Sequence, residues 1–202
     1  MKSLMELMLG TDWDNLPPAL QAHYRFGTTV EKGRMTIEYP KFMQPILSVL
    51  RIFGALINRA GQLIPTVVEK NVVGERQYWQ RTITYADGKV VRFNSYWVPT
   101  DDNQLIEFVN PMLGLQMAPE VLNGQLHYRG VRFVLKLGSL LLPIPEWLAL
   151  GHTSIVEVAV DETHFAMDFR MKHPLFGQLF RYSGVFEVTP SPASSIQNPT
   201  HL

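Results

Sequence analysis

Residues 164–188 read HFAMDFRMKHPLFGQLFRYSGVFEV. In the first run Phe165, Met167, Phe169 and Met171 alternate with His164, Ala166, Asp168, Arg170 and Lys172. Successive side chains of a strand point to opposite faces, so this period of two predicts a strand with one apolar face. His173-Pro174-Leu175-Phe176-Gly177 reads as a turn. The return run, Leu179 to Val188, gathers Phe180, Tyr182, Phe186 and Val188 on one side and Arg181 and Glu187 on the other. The same period holds upstream, from Pro65 onward. Short β-rich runs there are punctuated by Gly74, Asp87-Gly88, Asp101-Asp102-Asn103, Asn123-Gly124 and Asp161-Glu162-Thr163. Asp-Gly and Asn-Gly between apolar runs are hairpin signals, and the spacing predicts about eight to ten antiparallel strands curling into a barrel or curved sheet.

The first third reads differently. Residues 11–25 have helical character, with Thr11 and Asp12 as N-cap candidates and Pro17-Pro18 at the first turn of a second piece running to Tyr24. Thr28 to Tyr39 is polar and β-branched, a strand or a hairpin turning at Gly33. Over residues 42–60, Ile46, Val49, Leu50, Phe53, Leu56 and Ile57 recur at helical spacing, with Pro45 in the first turn and Gly61 as C-cap. In Leu140–Leu150 two closely spaced prolines exclude a central strand and point to a loop leading into a short helix near Pro145–Leu148. The expectation is an α+β domain over residues 1–189: N-terminal helices, then a curved, mostly antiparallel sheet or partly closed β-barrel, with the 42–60 helix across its apolar face or mouth. Residues 190–202, rich in proline and serine, are expected to be a disordered tail.

Composition narrows the class of function. Lys plus Arg equals Asp plus Glu at 18 each among 202 residues, so there is no basic excess to neutralise a nucleic acid. There is no cysteine, which removes disulfides, thiolate metal sites and cysteine nucleophiles, and agrees with a reducing, cytoplasmic setting. The apolar run in Met1–Gly10 is too short and too acidic for a signal peptide. No stretch reaches the ~18 apolar residues of a spanning helix. No two of the six histidines have the i, i+4 spacing of a helical zinc site, and neither Gly-x-Ser-x-Gly nor a Walker loop occurs, so no metal and no cofactor is expected.

Alternation also asks which charges fall on apolar faces. Arg81 and Gln77 share a face with Trp79, Ile83 and Tyr85. Glu107 is central on the apolar face of Leu105–Val109. His127 and Arg129 share one with Val131, Phe133, Leu135 and Leu137. An unpaired buried charge is costly, so Arg81 needs a carboxylate, a wet cavity or an anionic ligand. Two readings are open. Either Arg81 and Glu107 pair and seal a barrel, or Arg81, Glu107, His127 and Arg129 line the polar end of an apolar pocket, an arginine there forking onto a carboxylate or phosphate. For the 42–60 helix and Leu140–Leu150, with Trp147, the preferred reading is that the helix plugs or covers the sheet with the leucines packed beneath it; the alternative is a greasy rim touching a bilayer or guarding a cavity mouth.

Four stretches carry a family resemblance: Leu16-Pro17-Pro18-Ala19-Leu20 with His23; Trp79-Gln80-Arg81; Gly138 through Pro145-Glu146-Trp147-Leu148; and, most specific, Pro174 to Gly184. In these the chain resembles the bacterial domain-of-unknown-function family 4166, often seen as the C-terminal part of saccharopine-dehydrogenase-like oxidoreductases. No glycine-rich dinucleotide fingerprint precedes it here, so a domain standing alone is expected. The resemblance implies a shared fold and, by analogy, an oxidoreductase partner; it supplies no activity. The expected function is binding of an apolar or amphipathic, lipid-like small molecule such as a fatty acyl or isoprenoid compound. The alternatives are an enzyme or accessory subunit acting on such a molecule, with Glu107 or His127 as acid–base, and an interaction module docking an oxidoreductase.

Overall fold

A computed structural model describes residues 1–100 and 102–190; the expected tail lies, but for Pro190, outside the described residues. Three short helices and eleven strands follow in order: α1 (Leu4–Leu9), α2 (Pro18–Tyr24), β1 (Thr29–Glu38), α3 (Gln44–Ile52), β2 (Gly61–Val73), β3 (Arg76–Thr84), β4 (Val90–Pro99), β5 (Leu105–Phe108), β6 (Leu113–Leu122), β7 (Gln125–Leu137), β8 (Leu140–Ile144), β9 (His152–Ala159), β10 (His164–His173) and β11 (Gly177–Pro190).

All pairings are antiparallel, and the sheet closes rather than stopping part-way. β1 pairs with both β2 and β11, β6 pairs with β7, and the first half of β7 pairs with β9 through Leu126↔Glu157 to Arg129↔Ser154. Ten strands therefore form a closed barrel. The second half of β7 outruns β9 and carries β8 as a hairpin on its free flank. This corrects the reading of Leu140–Leu150. Pro143 does sit in a strand, but an edge strand, where a missing N–H removes no ladder bond. The single helical turn Glu146–Leu148 follows it.

Helix boundaries differ from expectation for local reasons. Ser3 rather than Thr11 opens the first helix, in a reciprocal capping box with Glu6. α3 stops at Ile52 and does not run to residue 60. Gly54 takes φ +71°, its N–H donates to Arg51 O, and the N–H of Ala55 donates to Leu50 O. That is a Schellman stop, which an unbranched left-handed residue makes cheap. Gly33 is not a hairpin turn. It lies mid-strand against β11, where any Cβ would collide with the Val185 carbonyl and the Phe186 ring.

The interior is packed with aromatic and aliphatic side chains, while Lys32, Glu69, Gln80, Arg92 and Asn94 alternate outward. Apolar-in, polar-out is the reverse of a lipid-spanning barrel. Among the described residues no helix is long and apolar enough to cross a membrane. The register gives the barrel two distinct ends. The α2–β1 junction, the 122–125 turn and the 159–164 turn lie at one. α3, the β7–β8 hairpin and the 173–177 turn lie at the other.

Candidate functional site

Strand alternation sends Arg81 (β3), Ser95 (β4) and Glu107 (β5) inward, and the register sets them side by side: Trp79 opposes Ser95, and Trp97 opposes Glu107. Arg81 Nη1 donates to Ser95 Oγ at 2.9 Å, Arg81 Nη2 to Glu107 Oε1 at 3.3 Å, and Ser95 Oγ to the same Oε1 at 2.6 Å. Neither donor engages Oε2. Arg81 and Glu107 thus pair, as the first of the two sequence readings has it, and both are buried.

His127 and Arg129 do not join them. The interior residues of this part of β7 are Leu126 and Tyr128, and His127 and Arg129 project from the outer wall. The cause is a register shift at Gln116/Met117: Gln116 opposes Arg132 but Met117 opposes Gly130, so Val131 is an extra residue. A bulge reverses which face each side chain takes. Phe133 is inward after it, and counting back by twos from Phe133 puts the wrong residues inside.

Six interior polar groups escaped the sequence reading: His23, Tyr24, Glu31, Lys70, Tyr128 and Glu157. α2 enters the barrel mouth with Leu20, His23 and Tyr24 on its inner side. Lys70 of β2, fully buried, donates through Nζ to the carbonyls of His23 (2.9 Å) and Arg25, which caps the helix C-terminus and pins it. Burial lowers the Lys70 ammonium to about 8, with Glu31 nearby opposing. His23 Nδ1 is hydrogen-bonded to Glu31, and its Nε2 lies 3.9 Å from Glu157. Tyr24 donates to Glu157 Oε2 at 2.6 Å and accepts from the Tyr128 hydroxyl at 2.6 Å. Burial pushes the Glu157 carboxyl above its usual range, against the pull of His23 and of the Tyr24 hydrogen bond. Burial and the Glu157 charge push both phenols up, so Tyr24 and Tyr128 stay protonated donors. The signal for Lys70 and His23 was present: Lys70 continues the Ile64–Thr66–Val68 alternation, and His23 falls three residues after Leu20.

Two cavities meet at this cluster. A chamber of about 30 Å³ is lined by His23, Tyr24, Glu31, Arg81, Tyr128 and Glu157 among others, with room for no more than a water molecule. Beyond it, toward α3, lies a cavity of about 300 Å³ with walls that include Leu50, Leu56, Phe93, Leu115, Phe133 and Phe169. Glu107 and Tyr182 line both. Burial raises the Tyr182 hydroxyl pKa, with Arg81 opposing. The result is an apolar cavity whose inner end carries one carboxylate and one phenol. A wider groove of about 1010 Å³ runs along the outer wall over β1, β9, β10 and β11, but there Asp168 already accepts from Arg170 and Arg181. Among the described residues no group of three or more His, Cys, Asp or Glu is arranged to hold a metal.

Residues 16–186 match the model of the family described as a domain of unknown function, DUF4166. The chain belongs to that family. The DUF4166 match begins after α1 and takes in every interior ionisable residue named here, the tyrosines Tyr24, Tyr128 and Tyr182 as well as His23, Glu31, Lys70, Arg81, Glu107 and Glu157. Comparison with the curated proteins and with the solved structures found no match.

Proposed function

We propose that the barrel binds an amphipathic small molecule, its apolar body in the 300 Å³ cavity and its polar end against Glu107 and Tyr182. The observation that carries this is the shared lining: an otherwise apolar cavity ends on ionisable groups that a packed core has no need of. The cavity is at the small end of ligand pockets, which fits a single short chain or a compact isoprenoid. Arg81 is taken by Glu107 and Ser95, and Arg129 is outside, so an anionic head group has no free arginine to meet. Glu107 Oε2 takes neither of those two bonds, which favours a hydroxyl or amine that donates to it.

Native mass spectrometry of the protein, purified without organic extraction, tests the reading. Co-purified apolar mass that exchanges with added fatty alcohol supports it. Protein that is empty, and that does not enhance the fluorescence of the neutral apolar probe N-phenyl-1-naphthylamine, rejects it.

An acid–base role for Glu107 on the same ligand is the second reading, favoured by the His23–Glu31 and Tyr24–Glu157 network directly behind it. His127, on the outer wall, has no part in it. Glu107→Gln that binds the probe but loses turnover of a co-purified ligand would select this reading over simple binding.

A further inference from the structure

We infer that the α3 end of the barrel docks on an anionic lipid surface. The cavity opens between α3 and the segment after β8, since Ile46, Leu50, Ile144, Ala149 and Leu150 are among its lining residues. Around that opening the apolar side chains point out rather than in. Ile52 is 81% and Leu175 80% exposed, and Val49, Phe53, Trp147 and Phe176 are exposed as well. They come from three separate parts of the chain but form one rim. The Phe42 and Phe176 rings are 6.4 Å apart, and His173 Nε2 meets the Trp147 carbonyl at 2.8 Å. A lone exposed leucine needs no explanation, but a group of exposed apolar side chains from three segments beside a greasy opening does.

Charge identifies the partner. Residues 41–60 contain no acid; besides the Arg59 that pairs with Asp87 they carry Lys41 and Arg51, and Lys136 and Lys172 flank the other rim segments. The acids at this end are engaged: Asp87 by Arg59, Glu38 by Arg181, and Glu146 by His152 and the Thr153 N–H. Basic residues behind an aromatic and aliphatic rim match the headgroup and acyl layers of an anionic bilayer. Delivery of a ligand from that bilayer into the barrel rests on the binding reading above; the docking surface rests on exposure and charge alone.

The test is flotation of the full chain with vesicles of phosphatidylcholine alone and of equal parts phosphatidylcholine and phosphatidylglycerol. The chain is expected to float with the anionic vesicles, less so at high salt, and the triple variant Trp147→Ser, Leu175→Ser, Phe176→Ser to lose about tenfold or more of that binding. All three positions are exposed, so the variant is expected to fold and to keep N-phenyl-1-naphthylamine binding in solution. Failure to float with either vesicle overturns the inference, as does equal binding to neutral vesicles. Sedimentation showing a dimer that the triple variant dissolves, with no vesicle binding, assigns the rim to a second copy of the chain instead. Vesicle binding in a protein that takes up no probe keeps the docking surface and removes the proposed function.

Discussion

The two ends of the barrel interior solve opposite problems. At the α2 end, polar and charged groups are buried and answered: Lys70 by helix carbonyls, His23 by Glu31, Glu157 by the Tyr24 hydroxyl, and Tyr24 in turn by that of Tyr128. Almost no space is left. At the α3 end there is space but almost no polarity, and the side chains that would fill it in a closed fold face outward instead. Arg81 and Glu107 lie at the border. A core built for stability alone would have the second end filled and the first apolar, since a buried ion pair is weak evidence of stabilisation. One end pins a helix in place, and the other leaves the room that the proposed binding reading requires.

The border pair is the sharpest place to break this contrast. Glu107→Leu leaves Arg81 buried without a carboxylate and is expected to cost about 3–5 kcal/mol in denaturant unfolding, with Glu107→Gln costing less. A cost under about 1 kcal/mol for the leucine variant would mean that Arg81 reaches solvent through the cavity and that the two ends are one wet space. Next in size is a pH effect confined to the α2 end. The folded Lys70 releases its proton near 8 while the unfolded chain keeps it to 10.5, so above pH 8 the unfolded state binds more protons and stability rises with pH. The rise approaches about 3 kcal/mol at most, and it is cut off near pH 10, where Tyr24 and Tyr128 begin to ionise in the unfolded chain but not in the folded one. Chemical denaturation from pH 7 to 10 measures it, and Lys70→Met should flatten the profile. Tyr24→Phe, which takes a donor from Glu157 and an acceptor from Tyr128, is expected to cost about 1–3 kcal/mol. Smallest in stability is Leu50→Trp at the open end. It should fill the cavity, change stability by about 1 kcal/mol or less, and abolish probe binding. A large loss of stability there would show that the cavity cannot accept an apolar body.

Much of this was legible from alternation. The inward aromatics of β10 and β11, and the inward Arg81 and Glu107, follow from counting by twos where the strand is uninterrupted. The same count fails on β7, because the residue that reverses the phase, Val131, is chemically ordinary and the bulge is defined only against β6. Glu31 and Glu157 were hidden for another reason. Each lies in a short run with β-branched neighbours on both faces, so nothing local says which side is in.

The sequence alone determined the strand period, the turn positions, the lack of cysteine chemistry and the presence of charges on apolar faces, because these depend on neighbours within a few residues. Only the tertiary structure decided that the sheet closes, that α2 carries His23 and Tyr24 into it, that Arg81 and Glu107 meet, and that an apolar cavity stays open beside them. Those facts depend on which strands become neighbours across more than a hundred residues of chain, and residue-to-residue spacing along the chain does not encode that register.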